Sequence, residues 1–157
     1  MKAWFRVDNR LIHGQVIEAW LPYLDAAELI VVNDDLAGDE LQQQIMKLAV
    51  PGWVRVTFSP VAAARQHHDR LEAGSLSVLF LFASCDDAAA VAEQGVPVPV
   101  LNVGNMHYAE GKRQLCQHVA ASAADMRCLD RLQRQGTKLD YRCVPGDVPV
   151  VEEWKCP

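Results

Sequence analysis

Residues 76–82, Leu-Ser-Val-Leu-Phe-Leu-Phe, offer almost no polar position to water on either side of a strand. A strand of this kind can hide both faces only in a sheet covered on both sides, the usual setting of a parallel sheet. Further strand-like runs at 3–7, 29–32, 54–58 and 98–103 alternate with stretches of helical character at 14–24, 39–49, 60–71, 86–94 and 122–135. Residues 113–119 and 138–144 read as closing strands, with the two prolines at 97 and 99 giving the 98–103 strand a late start or an edge position. The alternation predicts a three-layer α/β/α domain with a mostly parallel sheet of six or seven strands.

The helix limits have local causes. Val16, Ile17, Trp20, Leu21 and Leu24 line one side of the first helix, and Pro51-Gly52 stops the second. Ser59-Pro60 reads as N-cap and first helical residue of the third, Gly95 is placed to end the fourth, and Ser122 caps the last. Asn33-Asp34-Asp35 reads as a turn cluster in preference to a metal site. The chain is read as one domain over 1–157, a length that buries close to 70% of the unfolded surface.

In a parallel sheet, ligands bind beyond the carboxyl ends of the strands. His13, Asn33, Ser84 and Gly104 all fall in loops of that class. The richest in chemistry is the first: Arg6-Val7-Asp8-Asn9-Arg10-Leu11-Ile12-His13-Gly14-Gln15. It sets a histidine among two arginines, an aspartate and a glycine where a strand ends and a helix begins. The free N–H groups of a helix start favour an anion, and a neutral imidazole is a nucleophile near pH 7. His13 is therefore read as a group that accepts and releases a phosphoryl group. Arg10 could clamp two phosphoryl oxygens, Gly14 and Gln15 could offer backbone N–H donors, and Asp8 could orient Arg10 or the imidazole. Arg6 is either part of that machinery or a salt-bridged strand residue.

Other features narrow the function by exclusion. A net charge of −5 argues against a general nucleic-acid binder. No P-loop or GxGxxG fingerprint is present, so ATP is not the implied donor, and neither a cofactor nor a metal is expected. Five cysteines without a Cys-x-x-Cys pair predict reduced thiols, with Cys156 a candidate reactive one. His67 and His68 are expected to be solvated, His107 to border the site, and His118 to be structural within a strand. The first residues resemble no signal peptide, and no apolar run nears the roughly 20 residues of a membrane span. A cytoplasmic protein is expected.

The run Arg6 through Val16 resembles the active-site loop of the IIB subunits of the mannose/fructose/sorbose family of the bacterial sugar phosphotransferase system. Ile30-Val31-Val32-Asn33-Asp34, Leu101-Asn102-Val103-Gly104, Met106-His107 and Gly111-Lys112-Arg113-Gln114-Leu115 fit the same family in order and spacing. Two positions depart from its pattern: Asn9 stands where Asp is usual, and Asn105 where Gly is usual. The resemblance implies a phosphotransferase carrying phosphohistidine at Nδ1 of His13, with Arg6, Asp8 and Arg10 beside it. It also implies a IIA phosphodonor and a hexose presented by membrane IIC/IID subunits, which would be the chain's only link to the membrane. The alternative is a regulatory or binding module whose phosphorylation state controls a partner instead of sugar uptake.

Overall fold

A computed structural model describes residues 1–148 of the chain. The expectation for Cys156 lies outside the described residues. Six strands form one parallel sheet in the order β3-β2-β4-β1-β5-β8. They span Lys2–Asp8 (β1), Ala26–Val32 (β2), Arg55–Ser59 (β3), Ser77–Phe82 (β4), Val100–Asn105 (β5) and Lys138–Asp140 (β8). The uniformly apolar β4 lies between β2 and β1 and is buried along its whole length.

The period-2 alternation of the strands divides the interior into two cores. Val78, Phe80 and Phe82 of β4, with Ile30 and Val32 of β2 and Phe5 and Val7 of β1, face one side. They pack there on helices α4 (Ala64–Glu72), α5 (Cys85–Glu93) and α6 (Ala123–Arg134). Leu79, Leu81, Leu29 and Val31 face the other side. They meet Val16, Trp20 and Leu21 of α1 (Gln15–Trp20 continued by Leu21–Tyr23), and Leu36 and Met46 of α2 (Asp34–Ala37) and α3 (Glu40–Leu48). Helices thus cover both faces of the sheet, and the three-layer expectation holds.

Several local readings are corrected. Helix α1 opens as a π-helix over Gln15–Trp20 before an α-helical turn, Leu21–Tyr23, although the apolar side is the expected one. Asn33 does more than turn the chain: its side chain accepts from Leu36 N–H at 3.0 Å and starts α2. Ser59 ends β3 and bonds the Pro60 carbonyl, so α4 begins only after a 3₁₀ turn at Val61–Ala63. Ser84 and Ser122 cap α5 and α6, the latter in a capping box with Asp125.

The prolines give β5 a late start, and β5 is not an edge strand because it pairs with both β1 and β8. The single strand expected at 113–119 is a hairpin of β6 (Arg113–Cys116) and β7 (Val119–Ala121), with His118 in its turn. The last strand is three residues long. His68 is 4% exposed and its ring lies 6.3 Å from that of Phe80, so it is a core residue of α4 and not a solvated one.

Candidate functional site

Strand β1 emerges between β4 and β5, and the His13 loop starts at its carboxyl end. Arg6 and Asp8 stand two residues apart and so project from the same face of β1. Both are buried, at 1% and 0% exposure. A buried charge is costly unless paired and hydrogen-bonded, and here the pairing is extensive. Asp8 Oδ2 accepts from Arg6 Nη2 at 2.8 Å and from His13 Nε2 at 2.8 Å. Asp8 Oδ1 accepts from Arg10 N–H and from Arg10 Nε, each at 3.2 Å. Burial by itself would raise the Asp8 carboxyl. The bonds from His13 and Arg10 and the charge of Arg6 outweigh it and hold the group well below the usual carboxylate range.

The loop itself is tightly wound. Leu11 N–H donates to the Asp8 carbonyl at 2.9 Å, and Leu11 takes a left-handed φ of +54°. That conformation costs a branched residue about 1–2 kcal/mol. Burying the Leu11 side chain in the α1-side core offsets a cost of that size. The strain sets the reversal that returns His13 to Asp8. Gly14 has helical angles and no atom close enough to touch an added Cβ, so the backbone beside His13 is uncovered.

Arg10 is one-third exposed and braced from below. Besides Asp8, it donates through Nη2 to Gln15 Oε1 at 2.8 Å. Among the described residues Nη1 makes no bond. The Gln15 side chain therefore supports Arg10, a role its position at the helix start did not disclose. Arg10, His13, Gly14 and Gln15 are brought together at one rim, with Asp8 buried beneath them.

Arg6 goes inward. Its guanidinium donates to Asn102 Oδ1, its register partner on β5, and to the Cys143 carbonyl at 3.2 Å. It lies 5.0 Å from the Trp20 ring centroid and fills the space beside Gly104 that a Cβ would occupy. Arg6 is a salt-bridged strand residue, and its bond to Asp8 joins it to the loop that carries His13. Asn102 in turn donates to the carbonyls of Asp140 and Arg142, at 3.1 and 2.9 Å. Asn102 and Gly104 stand in one sequence motif, but no local signal shows that they cradle Arg6. Trp20 was placed only on the apolar side of the first helix, and nothing local links it or Cys143 to Arg6.

His107 is exposed, with Nδ1 3.4 Å from the Asn105 amide, and borders the rim. On α4, ligand atoms of His68, Asp69 and Glu72 lie within 4.8 Å of one another, a grouping the sequence reading did not identify. Both Asp69 oxygens there already accept from Arg65 Nε, at 2.7 and 2.9 Å. Cys85, Cys116, Cys128 and Cys143 are free thiols. No helix among the described residues is long and apolar enough to cross a membrane.

The architecture and the chain as a whole have close relatives. The structure superimposes on the crystal structure of the IIB domain of the Klebsiella pneumoniae sorbose permease with a TM-score of 0.88, at 32% identity over 96% of this chain and 93% of that one. In sequence it is 32% identical to the fructose-specific EIIB component of Bacillus subtilis, over 90% of this chain and 87% of the relative. It is 33% identical to N-acetylgalactosamine-specific phosphotransferase enzyme IIB component 2 of Escherichia coli, over 96% and 94%. Residues 3–154 match the family model described as PTS system sorbose subfamily IIB component. The chain belongs to the sorbose subfamily of phosphotransferase-system IIB components.

Proposed function

We propose that His13 is the residue of this IIB component that carries the phosphoryl group, and that Nδ1 is the atom that forms the bond. The observation that carries the reading is the 2.8 Å contact between His13 Nε2 and Asp8 Oδ2. An ionised carboxylate only accepts, so Nε2 holds the ring proton and Nδ1 presents a lone pair. Nδ1 attacks the phosphorus of a donor phosphohistidine; the new P–N bond forms as the donor's P–N bond breaks and its electron pair returns to the donor ring. Positive charge that develops on the His13 ring is met by Asp8, and charge on the phosphoryl oxygens by Arg10. In the second step a sugar hydroxyl attacks the phosphorus and gives its proton to solvent; the new P–O bond forms as the P–N bond breaks and its electron pair returns to His13 Nδ1.

The donor in this reading is a IIA protein and the acceptor a sugar presented by membrane IIC/IID subunits. The mannose-specific EIIAB component of Escherichia coli, 30% identical over 90% of this chain and 44% of the relative, supports the link to IIA by its name. The reading implies a cytoplasmic protein that reaches the membrane only through those subunits. The relatives lend no support to the regulatory alternative.

The test is intact-mass analysis after incubation with phosphoenolpyruvate, the two general phosphotransferase proteins and a mannose-family IIA. One acid-labile phosphoryl group on the wild type, absent from a folded His13→Ala variant, is the expected result. No uptake from any of several competent IIA donors, or acid-labile phosphate retained by His13→Ala, overturns it.

A further inference from the structure

Position 105 carries a side chain that the transfer loop can use. Asn105 ends β5 beside the His13 loop and is 5% exposed. Its carbonyl accepts from Asn9 N–H at 3.2 Å, joining the loop to the strand. Its carboxamide lies among three groups. With the nitrogen turned to the His118 carbonyl, 3.0 Å away, the oxygen accepts from Arg10 Nε at 3.1 Å, and the Asn9 carboxamide, whose Oδ1 position lies 3.0 Å away, turns its own nitrogen toward it. The opposite orientation would set oxygen against the His118 carbonyl and nitrogen against the Arg10 donor, so the neighbours decide the first.

We propose that Asn105 is a positioning residue for phosphoryl transfer: its carboxamide, braced on the His118 carbonyl, fixes the Arg10 guanidinium in the orientation that receives the phosphoryl oxygens. The inference rests on the reading of His13 as phosphoryl carrier given above. Arg10 Nε is shared between Asp8 Oδ1 at 3.2 Å and Asn105 Oδ1 at 3.1 Å, while Nη2 is held by Gln15 at 2.8 Å. Three neighbours thus define the guanidinium plane, and Nη1 is left for the ligand. An arginine held in its working orientation loses little freedom when the phosphate arrives. A neutral amide does this without adding a second anion beside Asp8, where it would oppose the incoming phosphoryl charge. The brace comes from the β6–β7 hairpin, whose turn carries His118 and whose position is set by Met106 N–H on the His118 carbonyl at 3.0 Å. Asn9 and Asn105, the two departures from the resemblance noted above, contact each other.

The experiment is a double-mutant cycle on single-turnover transfer from a phosphorylated mannose-family IIA, with Asn105→Ala and Arg10→Lys singly and together. Lysine has no Nε for Asn105 to hold. Asn105→Ala is expected to lower the saturated transfer rate about tenfold, the size of one lost hydrogen bond to a charged group, with the half-saturating IIA concentration unchanged. In the Arg10→Lys background the same change is expected to have no further effect. An equal loss in both backgrounds, or no loss in either, overturns the proposal. If Asn105→Ala does not fold, Asn105→Gly replaces it in the cycle. Nitrogen NMR of the Arg10 Nε–H signal, slowly exchanging in the wild type and exposed to exchange in the variant, gives a readout independent of transfer; an unchanged signal also overturns the proposal. A wild type that takes up no phosphoryl group from competent donors defeats the function reading instead, and the NMR outcome still stands on its own.

Discussion

The guanidinium of Arg6 occupies the space that a side chain at Gly104 would need. It is not free to withdraw, because Asp8, Asn102 and the Cys143 carbonyl hold its two terminal nitrogens. Gly104→Ala should therefore eject a buried charged group and not merely nudge a flexible one. A loss of roughly 3 kcal/mol or more is expected, in the range for breaking a buried ion pair. The urea midpoint of the variant measures it; a shift near zero would show that the Arg6 cradle yields easily.

Asp8 links stability to pH. Its folded carboxyl titrates well below the unfolded value of about 4. The stabilisation is thus complete above that value and is lost as pH falls below it toward the folded pKa. Asp8→Asn should be less stable than wild type at pH 7, and the gap should narrow below about pH 4. Denaturant midpoints of both proteins at pH 7 and pH 3 decide the matter, and a gap that stays constant would remove Asp8 as the source.

Arg10→Lys keeps the charge and loses the fork, including the Nε and Nη2 bonds to Asp8 and Gln15. Transfer from phosphorylated IIA should fall by roughly 10- to 100-fold, while IIA affinity changes little. Stopped-flow transfer and calorimetric binding separate the two quantities. Equal transfer rates in both proteins would take Arg10 out of the mechanism.

The His13–Asp8 contact also predicts which ring nitrogen does the work. Correlation of phosphorus with labelled ring nitrogens in the phosphorylated protein should assign the bond to Nδ1. Asp8→Asn should slow phosphoryl uptake, because an amide can donate to Nε2 and allow the proton to move to the reactive nitrogen. A phosphoryl group found on Nε2 would contradict the 2.8 Å geometry directly.

The chain showed its layers early because their causes are local. The β4 run can exist only with both faces covered, and the capping serines 84 and 122 begin their helices by a bond made three residues on. Where a reading failed, competition between neighbours decided the outcome. Ser59 was free to cap a helix but stayed in β3 through its pairing with Val32. His68 looked polar and solvated in a helix rich in charge, yet its place on the inner side of α4 buries it against Phe80. The hairpin at β6–β7 replaced one strand because Arg113 and Ala121 pair across a turn that no glycine or proline marks.

The sequence by itself determined the alternation of strands and helices, the loop that carries His13, and the company of Asp8 and Arg10, all from residues within a few positions of one another. The tertiary structure decided which charges face inward. Arg6 meets Asn102 across 96 residues and Cys143 across 137, and Asn105 reaches the loop across 96. Local periodicity holds no information about such contacts. They exist because the parallel sheet sets β5 beside β1, so that a glycine on one strand makes room for the arginine of the other.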